Sequence, residues 1–139
     1  MRVLGLDYGQ RRMGVALSDR EGILASPLTT VTCETDSERI DAVLDLVARN
    51  AVQEIVVGAP LSLSGRMGPQ AGLVSRFVRG LAARAAIPVI TIDERYTTVE
   101  AERLLRQAGR RPSRDRARVD AVAAALILQS YLDAGRAEP

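Results

Sequence analysis

Residues 1–9 read MRVLGLDYG, and this stretch decides the fold. Val3, Leu4 and Leu6 make an apolar strand, and Asp7 then falls where the strand should still be buried. A carboxylate in such a place is costly unless it is paired, hydrogen-bonded or bound to a metal. Gly9 ends or turns the strand, which puts Asp7 at its exposed end. The plainer alternative is that Asp7 only shapes the turn toward Gly9.

Working outward, Gln10-Arg11-Arg12 leads into MGVALSD, where Met13, Val15 and Leu17 alternate with small or polar residues as in a half-buried strand. The short link predicts a hairpin with the first strand. Asp19-Arg20-Glu21-Gly22 is a second turn. Residues 23–33 form a third extended segment, and Pro27 within it marks an edge strand or a bulge. Thr35 and Glu38 have capping-box spacing, and Ile40, Val43, Leu44 and Val47 share one helical face. Residues 55–58 (IVVG) read as a buried parallel strand. Residues 59–68 (APLSLSGRMG) read as a loop that is mobile without substrate and folds Arg66 onto it. Pro69 can open a helix whose buried side holds Leu73, Phe77 and Leu81. Residues 88–92 (PVITI) are another apolar strand, ending in Asp93-Glu94-Arg95. Thr97 and Glu100 cap a helix that runs to about Ala108 and stops at Gly109. The last helix, about residues 117–134, is apolar on almost every side, the mark of a buried helix. This order predicts an α/β fold in one domain over residues 1–139. Its mixed five-stranded sheet has three antiparallel hairpin strands, then two parallel strands, and is flanked by helices.

Composition prunes the chemistry. The 139 residues include 47% hydrophobic and 26% charged side chains, ordinary for a soluble globular protein. One cysteine, Cys33, cannot form an internal disulfide, and no signal peptide or long apolar span is evident, so a cytoplasmic protein is expected. Histidine and lysine are absent; all 19 basic residues are arginine. This excludes Ser-His-Asp and Cys-His machinery, a lysine phosphate loop and a Schiff base. Carboxylates, arginines, hydroxyls and backbone remain. Carboxylates favour hard cations such as Mg²⁺ or Mn²⁺.

Sites in such sheets lie beyond the carboxyl ends of parallel strands. Asp7 ends the first strand, Glu94 lies just past the strand at 88–92, and Asp120 lies near the start of the last helix. Ala123 and Ala124, one turn on, are small enough to let that helix approach the sheet. Each acid has a plain alternative: a turn residue, a loop charge, a favourable charge at a helix N-terminus. Converging carboxylates, however, need a cation to hold them. Such a site serves phosphodiester hydrolysis, in which paired metals activate water and stabilise the leaving oxygen. Asp7, Glu94 and Asp120 are therefore the candidate catalytic and metal-holding set. Residues 95–118 carry eight arginines and three acids, so basic charge brackets the site although the net charge is only +2. The expected nucleic-acid contacts are Arg11, Arg12, Arg66, Arg95, Arg110, Arg111, Arg114 and Arg118.

Four blocks, LGLDYGQRRMGVALSD, VVGAPLSLSGRMGPQA, ITIDERYTTVEAERLL and VDAVAAALILQSYL, resemble those of the YqgF/RuvX family of pre-16S rRNA nucleases. That family is similar to RuvC Holliday-junction resolvases. The resemblance covers nearly the whole chain. It implies an RNase H-like fold, an acidic site on Asp7, Glu94 and Asp120, and Mg²⁺- or Mn²⁺-dependent nuclease activity. It also implies a role in maturing the 5′ end of pre-16S rRNA, with branched DNA as a further substrate. Implied partners are structured RNA or DNA and ribosomal precursor particles, with no membrane, for a monomer or homodimer. Gly58-Ala59-Pro60 departs from the family's usual Gly-Leu-Pro, and arginines replace lysines common near its last helix. Two other readings compete. A nucleotide-binding enzyme of the sugar kinase, actin and Hsp70 type would also use Asp7-Tyr8-Gly9, but needs two domains. A nucleic-acid-binding module without catalysis, in ribosome assembly or transcription, would leave the carboxylate set unexplained.

Overall fold

Alternation along the first two strands sorts their side chains onto two faces. In the computed structural model, β1 (Val3–Asp7) and β2 (Arg12–Ser18) form the expected hairpin, and β3 (Ala25–Thr32) pairs antiparallel with β2. There follow α1 (Asp36–Arg49), β4 (Glu54–Pro60), α2 (Pro69–Arg84), β5 (Val89–Glu94) and α3 (Arg116–Ala137). The structure describes residues 1–60, 69–94, 103, 106, 107 and 116–137; Arg103, Arg106 and Gln107 are helical. The side chains of residues 60, 69–71, 94, 116, 136 and 137 also lie outside the description.

The sheet order is β3-β2-β1-β4-β5, with β4 parallel to both β1 and β5. The central strand is therefore β1, the apolar stretch that opens the chain. On one face, Leu4, Leu6, Met13, Val15, Ile55 and Val57 pack against Ile40, Val43 and Leu46 of α1 and Val74, Phe77 and Leu81 of α2. Each such side chain, once buried, contributes about 1.5–3 kcal/mol. On the other face, Val3, Ala16 and Val56 pack against Ala124, Ile127, Leu128 and Leu132 of α3.

Local signals explain the element ends. Thr35 caps α1: its hydroxyl accepts from the Glu38 N–H at 3.2 Å. The Glu38 carboxylate reaches back to the N–H of Glu34, one residue earlier than a capping box predicts. Strand β3 is an edge strand, and its register with β2 shifts between Val15 and Ala16, opposite Pro27 and Thr29. Proline lacks the N–H a ladder needs, so this is where the bulge belongs.

Two expectations need correction. Ala59 and Pro60 continue β4 rather than opening a loop, because both pair with β5. Glu94 is the last residue of β5, not a residue beyond it, since it pairs with Pro60. The last helix begins at Arg116, one residue before the expected start, and Asp120 stands near its start as expected. Residues 61–68, expected to be a mobile loop, and most of the helix expected after Thr97 lie outside the described residues.

Candidate active site

One rung crosses all five strands. Thr30 pairs with Gly14, Gly14 with Asp7, Asp7 with Gly58, and Gly58 with Ile92. Asp7 thus sits at the middle of the sheet with a glycine on each side. Neighbouring strands lie about 4.8 Å apart, so a carboxylate between two glycines has no side chain beside it on either neighbouring strand. Val3 and Gly5 face α3, and alternation puts Asp7 on that same face. Asp7 itself is half-buried.

Helix α3 comes down onto this rung. The Thr30 hydroxyl donates to the Ala117 carbonyl oxygen. A Cβ added to Gly14 would fall well inside 3.0 Å of the Asp120 carbonyl group and 3.0 Å from the Ala121 nitrogen. A Cβ on Gly5 would lie 2.7 Å from Leu128 Cβ and 3.3 Å from the Ala124 oxygen. Gly14 has no positive φ, so space alone makes it glycine. Ala124, buried against the sheet, completes the close approach, while Ala123 is buried in a separate cluster with Val119. Asp120 is delivered to the strand position directly opposite Asp7, across 113 residues of chain. Sequence reasoning singled out both acids and the two alanines. It missed Gly5 and Gly14; glycine on the helix-facing side of two paired strands was the available signal.

The Arg12 guanidinium forms an ion pair with Asp120, Nε to Oδ2 at 2.9 Å. Arg12 starts β2, on the same face as Gly14 and Ala16, after a turn so tight that a Cβ on Gly9 would collide with the Arg12 carbonyl. Its side chain remains 46% exposed. Arg11 and Arg118 are exposed. Arg66, Arg95, Arg110, Arg111 and Arg114 lie outside the described residues. The backbone of Glu94 stands two residues beyond Ile92 on β5, on the alternate positions that face α3. Among the described residues, no group of three or more His, Cys, Asp or Glu gathers as a metal site. The acids that do share the rung offer oxygen donors only, which suit Mg²⁺ or Mn²⁺ and not zinc.

Behind the rung, the β1–β2 turn is held by Arg39, a buried cation that the apolar pattern of α1 did not announce. Its guanidinium donates to the carbonyls of Gly9 and Gln10, pairs with Asp36 at 2.9 Å and lies 5.1 Å from the Tyr8 ring centroid. Burial, opposed by Arg39 and reinforced by Asp36, raises the Tyr8 pKa above its usual value. Among the described residues, open clefts flank this end of the sheet on both faces. One, of about 850 Å³, lies on the α1–α2 side and is lined by Tyr8, Arg11, Cys33, Arg39 and Arg76 among others. The other, of about 610 Å³, runs between β3 and the start of α3, lined by Thr29, Thr30, Ala117, Arg118 and Val122 among others. The second is on the face of Asp7 and Asp120; the first is larger but opens on the opposite face.

Comparison with known proteins agrees with this architecture. The chain is 48% identical over 134 residues to a protein of Chloroflexus aggregans named "Putative pre-16S rRNA nuclease", covering 96% of this chain and 94% of that one. It is 49% identical over 134 residues to a protein of the same name from Syntrophus aciditrophicus, covering 96% and 89%. Among solved structures it resembles Thermus thermophilus RuvC (TM-score 0.58, 20% identity, 99% and 97% covered). It also resembles the Fowlpox virus resolvase bound to Holliday junction DNA (TM-score 0.60, 11% identity, 96% and 98% covered). At these identities the structures establish the fold, which is RNase H-like. No helix among the described residues is long and apolar enough to cross a membrane. A model of the RuvX family, described as Holliday junction resolvase, matches residues 1–134, and the chain belongs to that family.

Proposed function

We propose that this chain is a nuclease that hydrolyses phosphodiester bonds with the help of Mg²⁺ or Mn²⁺. Its substrate in this reading is structured nucleic acid, first the 5′ end of pre-16S rRNA and also branched DNA. The observation that carries the reading is the placement of Asp120 on the strand position facing Asp7, secured by Gly14. A helix is pressed this closely onto a sheet at the one rung where the central strand ends in a carboxylate. The names of the relatives point the same way.

Asp7, Asp120 and Glu94 would hold the cation. When bound, it supplies an activated water and charge stabilisation for the leaving oxygen. The residues themselves orient the scissile phosphate. Glycine at position 14 admits the α3 backbone beside Asp7, which seats Asp120 next to it. Arg118 and Thr29 line the cleft that leads away along α3, where a sugar-phosphate backbone would be held by charge rather than by base contacts. Only one phenylalanine, three tyrosines and no tryptophan are present, so base stacking is a minor device. In this reading residues 1–139 act as one RNase H-like domain.

The test is cleavage of a pre-16S rRNA fragment, single strands and a four-way DNA junction, side by side, in Mg²⁺, Mn²⁺ or EDTA. Metal-dependent products that vanish in Asp7→Asn support the reading. Tight binding without cleavage in either metal overturns it in favour of a non-catalytic binding module.

A further inference from the structure

We propose that Arg12 is a tethered counter-ion for Asp120, which the divalent cation must displace, so that Arg12 and metal are alternative partners of one carboxylate. The inference rests on the metal-site reading above and deepens it. Three observations carry it. The Arg12–Asp120 ion pair, at 2.9 Å, engages a carboxylate of the candidate metal set. The two ends of the pair differ: the Asp120 side chain is 21% exposed, while that of Arg12 is 46% exposed and can turn to solvent. And the Asp120 backbone is seated against the sheet, since its own carbonyl rests on Gly14. When a cation arrives, the carboxylate stays and the arginine leaves.

Arg12 leaves toward a useful place. It lies one alternate position from Gly14, outward of the Asp7 rung at the open end of the sheet, where the backbone of a nucleic acid would pass. A guanidinium released there meets phosphate oxygens, which it binds bidentately. Phosphate and metal then favour each other: phosphate draws Arg12 from Asp120, and metal frees Arg12 for phosphate. Such coupling is reciprocal by thermodynamic necessity. Arg12 is thus a positioning residue that offsets the Asp120 charge when no cation is bound and loads cation and substrate together.

Mn²⁺ binding, followed by the electron paramagnetic resonance of the free ion, tests this without turnover. Arg12→Gln should bind Mn²⁺ about three- to tenfold more tightly than the wild type, since the competing pair and a like charge are both removed. Arg12→Lys, which keeps the charge, should stay near wild type. Arg20→Gln, on an exposed turn, removes the same net charge elsewhere and should leave the affinity unchanged. Circular dichroism spectra and melting curves confirm that each variant is folded. Equal Mn²⁺ affinity in wild type and Arg12→Gln, with binding lost in Asp7→Asn, overturns the counter-ion role alone. An affinity gain matched by Arg20→Gln also overturns it, because the effect is then one of net charge. Absence of Mn²⁺ binding in every variant overturns both this role and the metal-site reading.

Discussion

Adding one methyl group at position 14 tests the central claim about how the site is assembled. In Gly14→Ala the new Cβ meets backbone, the Asp120 carbonyl group and the Ala121 nitrogen, and backbone cannot rotate aside as a flexible side chain can. Restoring ordinary contact requires α3 to lift by on the order of 1 Å at Asp120. Overpacking of this kind costs about 1–3 kcal/mol. For a chain of this size the melting temperature should fall by roughly 3–10 °C. A displacement of 1 Å at a reacting group can cost about 100-fold in rate, so cleavage should fall by that order even well below the melting point. Gly5→Ala supplies the contrast: its Cβ meets Leu128 at 2.7 Å, two turns along the helix from Asp120. It should lose comparable stability and much less activity. The assay is differential scanning calorimetry beside initial cleavage rates in Mn²⁺, with both variants at the same fraction folded. Wild-type stability and rate in Gly14→Ala would refute the reasoning, and equal activity losses in both variants would show that stability alone, not placement of Asp120, governs the rate.

Asp120→Asn should abolish cleavage while retaining nucleic-acid binding, measured by gel shift and product formation on the same samples; full activity would remove Asp120 from the catalytic set. Arg118→Ala should weaken binding to all nucleic acids alike and reduce the slope of log affinity against log salt by about one, a result that preference for a single sequence would contradict. Tyr131 donates to Glu54 at 2.6 Å, and burial, followed by that hydrogen bond and the Glu54 charge, pushes its pKa up to about 12. Its folded pKa is raised, so its contribution to stability is complete below the unfolded value near 10 and is lost as pH rises toward 12. The melting temperature of the wild type should therefore drop more between pH 9.5 and 11.5 (about the span between the two values) than that of Tyr131→Phe.

The frame of the fold was legible because strand and helix periods differ. Val3 to Leu6, Met13 to Leu17 and Ile55 to Val57 announce themselves as strands, and Pro27 betrays the edge strand by the donor it lacks. Asp7 was legible as a charge in the wrong company. What escaped was set by tertiary contact. Nothing local tells whether Glu94 is still paired; that depends on Pro60 of another strand. Leu46 is buried although the helical pattern favoured Leu44 and Val47, which are half-buried at the flanks of the α1 face. Arg39 reads as a solvent-facing charge, yet two backbone carbonyls and Asp36 satisfy it inside. The pairing of Arg12 with Asp120 was equally hidden, because it joins residues from opposite ends of the chain.

The packing of α3 against Val3, Ala16 and Val56 on the second sheet face has a consequence for how the protein is made. Val3, Ala16 and Val56 are synthesised well before the residues that pack on them, Leu128 and Leu132. Until translation reaches them, Val3, Ala16 and Val56 lack these α3 partners, the condition in which partly made proteins stick to one another or call for a chaperone. A chain stopped before residue 116 should accordingly be insoluble rather than merely inactive. The same order of synthesis acts as a safeguard. Asp7 emerges first and Asp120 only after the intervening strands and helices, so no fragment released early carries both acids. An enzyme of the proposed kind, which cuts ribosomal precursors, becomes competent only after the ribosome has made the chain through α3.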